Sequence, residues 1–279
     1  NLRYFLSKIL EHKLNLKLYS YRIKEKFFSL LIKCMKFKKI FLMTHKDLNL
    51  YKRRENVYLI NCHSNDYSNS LLEKYKNQNK INKKQFIVYF DNGVPYFSGD
   101  ALLTGIKAPE NNAEKYYKEL NLFFDNLERF FKTKVLIIPH PKYRIPALKE
   151  KNLNPYFNNR LSDNSYNACA KLIPRCLFVV SEGSTALSYA VINYKPVQFI
   201  YSTNFKYDWN QKEDLLSQAN LIGMRPINIT SFKNKELIKN LKIDKAKYDR
   251  YKFKFLTYKN LKPTKPNYKI INDLMDQLT

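Results

Sequence analysis

Phe178–Tyr201 reads F-V-V-S-E-G-S-T-A-L-S-Y-A-V-I-N-Y-K-P-V-Q-F-I-Y. An apolar run ends at Ser181-Glu182-Gly183, a helical pattern follows over Ser184–Asn193, and Val197–Tyr201 is a second apolar run. Strand, helix, strand at this spacing is the building unit of a parallel sheet. Parallel neighbours need a long crossover, and the crossover helix covers one face of the sheet.

The same alternation continues in both directions. Val57–Cys62 precedes a helix running through about Lys76, and Phe86–Phe90 ends at Asp91-Asn92-Gly93. Residues 113–131 carry Tyr, Phe and Leu at helical spacing, and Val135–Ile138 runs into Pro139-His140-Pro141. Ser162–Leu172 is expected to be helical and to stop before Pro174; Leu177–Val180 and Ile227–Ile229 are further strands, with basic helices near 233–241 and 267–278. Continuous apolar strands of this kind are covered on both faces. The prediction is an α/β fold of Rossmann type, parallel sheets with helices on both faces, whose ligands sit at the carboxyl ends of the strands. The polar clusters fall at those ends: His63–Asp66, Asp91–Asp100, His140–Arg144 and Ser181–Thr185.

Composition narrows the function. The chain has 279 residues, 44% of them hydrophobic, which is enough for a substantial core and excludes wholesale disorder. Its net charge of +26 favours anionic partners such as nucleotides, phosphates or an acidic membrane surface. Lys, Asn, Tyr, Ile and Phe are over-used together along the whole chain, as in an AT-rich genome, and no nucleic-acid module is recognisable, so nucleic acid is not an expected partner. Cys34, Cys62, Cys169 and Cys176 form no C-x-x-C pair and the four histidines are scattered, so neither a disulfide framework nor a metal site is expected. With no secretory signal and no apolar stretch of ~18 residues, the expected location is cytoplasmic. The first residue is Asn, so an upstream segment is expected to be missing. Lys24–Lys39 (K-E-K-F-F-S-L-L-I-K-C-M-K-F-K-K) is a basic amphipathic helix by pattern, docked on a core or lying on an anionic membrane.

Three segments have the residue types for chemistry. Ser181-Glu182-Gly183-Ser184-Thr185 puts two hydroxyls and a glycine at the start of a helix, which suits a phosphate through open backbone amides or equally an ordinary N-cap. His140, between two prolines, is held extended at a strand end, where it can donate to a phosphate or act as a general acid. Lys142 and Arg144 add cations beside it. Asp91 directly follows a strand; it reads as a general base or as plain Asp-Asn-Gly turn chemistry.

His140-Pro141, followed about forty residues later by Ser184-Thr185 at a helix start, resembles bacterial sialyltransferases and polysialyltransferases, GT-B enzymes using cytidine-monophosphate sugars. The block from Ile138 to Ile200 is also similar to Kdo transferases and, more distantly, to CDP-glycerol glycerophosphotransferases. The resemblance covers roughly residues 56–230. It implies a metal-independent, inverting glycosyltransferase of capsule or lipooligosaccharide synthesis, with no cofactor beyond the donor and a glycan or glycolipid acceptor. His140 would assist departure of the leaving group, Ser184 and Thr185 would hold its phosphate, and Asp91 would be the base. Asn92 replaces the second acidic residue of the family's Asp/Glu-Asp/Glu-Gly motif, which leaves Asp100 and Glu182 as rival bases. The expected organisation is a basic helical segment 1–55, a partial Rossmann-like domain 56–130 carrying the base, and a nucleotide-binding Rossmann-like domain 131–279. The location it implies is cytoplasmic, peripheral at the inner face of the plasma membrane. A phosphotransferase using a CDP-activated alcohol and a non-catalytic protein of anionic membranes are the alternatives.

Overall fold

A computed structural model describes residues 40–44, 57–76, 85–93, 112–141, 156–157, 159–162, 167–207 and 209–278. Two strands, β1 (Ile40–Thr44) and β2 (Val57–Asn61), pair as a small sheet. The chain divides into two compact units, 1–42 with 48–60, and 43–47 with 61–279. The second unit contains the candidate site. It runs through α1 (Asn65–Lys76), β3 (Ile87–Phe90), α2 (Ala113–Phe131), β4 (Val135–Ile138), α3 (Ala168–Leu172) and β5 (Val179–Ser181). It continues through α4 (Leu187–Ile192), β6 (Val197–Tyr201), α5 (Trp209–Ile222), β7 (Ile227–Asn228), α6 (Asn234–Asn240), α7 (Lys245–Phe255) and α8 (Asn267–Leu278).

β3 to β7 form one parallel sheet in the order β4-β3-β5-β6-β7. Side chains alternate across it. Val88, Phe90, Val179 and Phe199 pack with residues of α1, α4, α5 and α7 on one face. Ile87, Tyr89, Ile137 and Val180 pack with Tyr116, Leu120, Phe124 and Leu127 of α2 on the other. Each such fully buried large side chain stabilises the fold by about 1.5–3 kcal/mol. This is the expected fold class. α2 has its start set by Asn112, whose Oδ1 accepts from Lys115 N–H (2.9 Å), and its end by Lys132 in the left-handed region (φ 50°).

Several expectations need correction. The division at 130/131 cuts through the sheet: β3 precedes it, yet pairs with β4 and β5, which follow it. Of the basic helical segment 1–55, only 40–44 is described, and its apolar I-F-L-M-T forms strand β1; Lys24–Lys39 lies outside the described residues. The helix expected over Ser162–Leu172 does stop before Pro174, but α3 begins at Ala168 rather than Ser162. A 3-10 turn over Ile173–Arg175 follows it, with Pro174 in the first turn where its missing N–H costs nothing. α4 is shorter than expected, starting at Leu187 rather than Ser184.

Behind the sheet, α1 is clasped to the C-terminal segment by a buried histidine. His63 Nδ1 meets Thr257 Oγ1 (2.6 Å), Nε2 meets the Lys265 carbonyl (3.1 Å), and its backbone N–H donates to Asn267 Oδ1 (2.9 Å). The carbonyl can only accept, so Nε2 carries the proton and Nδ1 accepts from the threonine. Burial lowers the His63 pKa, consistent with a neutral ring. Ser188 of α4 donates to Asp66. The His63–Asp66 cluster, expected at a strand mouth, is thus occupied in joining helices.

One glycine is required by its surroundings. Gly183 has φ +95°, and a Cβ built there lies 3.1 Å from Leu215 Cα and 3.2 Å from Leu215 N. Gly183→Ala is expected to cost about 1–3 kcal/mol in thermal unfolding, from a strained φ and displacement of α5. An unchanged midpoint would show that α5 yields freely at Leu215.

Candidate active site at the sheet crossover

The strand order places the chain's reversal between β3 and β5: from β3 it steps outward to β4, then crosses back to β5 on the other side. In open parallel sheets such a switch point leaves a crevice at the strands' carboxyl ends. The register pairs Phe90 with Ser181, so Asp91 and Glu182 emerge side by side. β4, on the other flank, ends at Ile138 opposite Phe90 and delivers His140 two residues later.

Asp91 is 3% exposed. Its N–H donates to Ile138 O (3.0 Å), and its Oδ1 accepts from Gly93 N–H (2.9 Å). Oδ2 is buried and has no hydrogen-bond partner among the described residues. Burial pushes the carboxyl up to about 7; the backbone amides of Gly93 and His140 pull it down, and the negative charge of Glu182 adds to the rise. Asn92 Nδ2 donates to Gly183 O (2.8 Å), tying the two strand-end loops together. The Asp-Asn-Gly segment is therefore both a turn and the support of a buried carboxylate.

Glu182 has a different environment. Its Oε2 accepts from the hydroxyls of Tyr89 (2.9 Å) and Tyr116, and its Oε1 from Tyr207 (2.9 Å). Burial raises its pKa, and the three phenols offset part of that rise by hydrogen-bonding the ionised form. Both oxygens are engaged, so Glu182 joins β3, α2 and the loop after β6 rather than offering an oxygen to a ligand. Tyr89, Tyr116 and Tyr207 were not singled out from the sequence.

The phosphate cradle differs from expectation. Gly183 N–H donates to Ser181 Oγ (3.1 Å), Ser184 N–H to Gln218 Oε1 (3.1 Å) and Ala186 N–H to Ser184 Oγ (3.3 Å). These amides already have acceptors, and the helix dipole begins only at Leu187. Ser181 is fully buried and serves the turn, while Ser184 is half-buried and Thr185 exposed. The space beside Gly183 is filled by α5. An incoming phosphate would take the Ser184 amide from Gln218, a residue the sequence reading missed.

His140 is half-buried at the same mouth. Lys142, Arg144 and Asp100 lie outside the described residues. Among the described residues, no cluster of three or more His, Cys, Asp or Glu is placed to hold a metal ion, and no helix is long and apolar enough to cross a membrane.

No protein-family model and no curated protein matches the chain. Among solved structures it is similar to the UDP-GlcNAc 2-epimerase of Methanocaldococcus jannaschii in complex with UDP-GlcNAc and UDP (TM-score 0.39, 11% identity, covering 85% of this chain and 60% of that one). It is also similar to the wall teichoic acid polymerase TagF, as a variant soaked with CDPG (TM-score 0.44, 14% identity, 85% and 58% covered). A second TagF variant gives a TM-score of 0.43 at 15% identity, with 86% and 59% covered. The chain spans about 60% of the length of these structures.

Proposed function

We propose that this chain is a transferase that moves a group from a nucleotide-activated donor to an acceptor hydroxyl, with Asp91 as the general base. The observation that carries this reading is the buried Asp91 Oδ2 at the sheet's switch point, lacking a partner among the described residues. A carboxyl raised to about 7 holds a proton long enough to be a useful base near neutrality, where general base catalysis is most effective. Asp91 Oδ2 takes the acceptor's proton while the acceptor oxygen forms its bond to the donor carbon. The bond from that carbon to the nucleotide phosphate breaks, and the phosphate leaves with the electron pair. His140, Ser184 and Thr185, with Lys142 and Arg144, stabilise the charge growing on it.

The donor we infer is a cytidylate-linked sugar of the sialic acid or Kdo kind, transferred with inversion to a surface glycan, in a GT-B arrangement. It rests on the resemblance of His140-Pro141 and Ser184-Thr185. Transfer from a CDP-activated alcohol uses the same nucleotide pocket but attacks phosphorus. Both release CMP, so the product linkage, glycosidic or phosphodiester, separates them.

Thermal unfolding with CMP, CDP, UDP, GDP and ADP tests the site. A nucleotide at 100 times its Kd adds ~2.7 kcal/mol to stability and visibly raises the midpoint. The expected result is a response to CMP or CDP that is lost in His140→Ala and in Ser184→Ala/Thr185→Ala. A response to UDP or GDP alone would discard cytidine. A folded sample unmoved by every nucleotide would overturn the transferase reading.

A further inference from the structure

A second surface, remote from Asp91 in chemistry, is built by α7, α8 and the segment between them. Residues 245–278 contain nine Lys or Arg against three Asp; Asp249 accepts from the Tyr194 hydroxyl and Asp273 pairs with Lys265. The inner face of α7 is set by Tyr248, buried in the core, with Tyr251 and Phe255 half-buried against it. Helical spacing then turns Arg250, Phe253 and Lys254 to solvent, and all three are exposed. Lys259 extends this row, its ammonium 5.9 Å from the centre of the Phe253 ring. Lys252 bridges to α1, lying over Tyr67 (5.7 Å), and its charge, after burial, lowers the pKa of Lys74. Tyr75 donates to Thr264 O and has Lys269 over its ring (5.2 Å), which joins α1 to α8. Phe253, Tyr75 and Tyr268 are 37%, 44% and 49% exposed.

We propose that this α7–α8 face docks the protein on an anionic lipid bilayer. The partner follows from charge complementarity and from how the aromatics are held. Exposed rings edged by lysines suit the headgroup level of a membrane, with rings inward and ammonium groups reaching lipid phosphates. Single-stranded nucleic acid instead stacks its bases on open ring faces. Here Lys252 and Lys259 cover Phe253, and Lys269 covers Tyr75. The docking surface is independent of the transferase reading and survives its failure.

The test is sedimentation of the full chain with vesicles of phosphatidylcholine alone or with added phosphatidylglycerol. Binding is expected only to the anionic vesicles and is expected to fall with salt. Each Lys or Arg near such a surface contributes about 1 kcal/mol, so Arg250→Gln/Lys254→Gln/Lys259→Gln is expected to weaken binding about a hundred-fold. Phe253→Ser, with all charges kept, is expected to weaken it as well. These side chains are exposed, so unfolding midpoints stay at the parent value. The charge-matched Lys36→Gln/Lys38→Gln/Lys39→Gln in the other basic stretch is the control. Loss of binding there with retention in the α7 triple variant would overturn the proposal. So would equal binding to neutral vesicles, or binding of short single-stranded DNA without binding of anionic vesicles.

Discussion

Asp91→Asn is expected to abolish most activity while making the protein more stable at alkaline pH. The carboxyl moves from 3.8 in the unfolded chain to about 7 when folded. A raised folded value means that the native state holds the proton more tightly. The fold bears no penalty below pH 4, a growing one as pH rises towards 7, and a constant one above. Integrated over that window, the penalty is up to about 4 kcal/mol. Asn cannot ionise and keeps an oxygen for the Gly93 amide, so denaturation at pH 8 should show a variant more stable than the parent, with the two nearly equal at pH 4. Loss of a general base lowers turnover by about 10²- to 10⁴-fold. Parent turnover should also rise as pH passes through about 7. A variant that kept full turnover, or was less stable than the parent at pH 8, would remove Asp91 from the role proposed.

Glu182→Ala has the opposite signature. It deletes the acceptor of three buried or half-buried phenols and opens a void where β3, α2 and the loop after β6 meet. An orphaned buried donor costs about 1–3 kcal/mol, so even partial relief by water leaves an expected loss of about 3–5 kcal/mol in urea unfolding. Tyr207→Phe removes one donor and is expected to cost about 1 kcal/mol. A loss below 1 kcal/mol for Glu182→Ala would show that the phenols find other acceptors.

The elements legible in the sequence were those with one clear period. Ala113–Phe131, Val135–Ile138 and Val197–Tyr201 are as read, because buried strands give unbroken apolar runs and α2 has a sharp apolar stripe. α7 went unread because Y-K-F-K-F alternates like a strand, although Tyr248, Tyr251 and Phe255 share a helical face. α5 went unread because its apolar residues are sparse and fall on both faces: Leu215, Ala219 and Ile222 are buried, whereas Leu216 is exposed. Asp91 and Glu182 could be placed at strand ends from the sequence, but their adjacency depends on strand order, which local pattern does not encode. Nor does anything local distinguish Tyr89, Tyr116 and Tyr207 among 22 tyrosines, or tie Gln218 to Ser184.

The placement of β3 also has a consequence for how the chain is made. Phe90 lies in the middle of the finished sheet, yet its partner Ser181 comes ninety-one residues later. On the ribosome, β3 therefore waits with one edge open while α2, β4 and α3 are synthesised. At ~5–20 residues per second that wait lasts roughly 5 to 20 s. During it, the I-V-Y-F edge of β3 is an unpaired apolar strand, the kind of segment that recruits holdase chaperones or a second nascent chain. Slowed translation between Phe90 and Ser181 lengthens that exposure, so aggregation in cells should depend on codon speed across this interval.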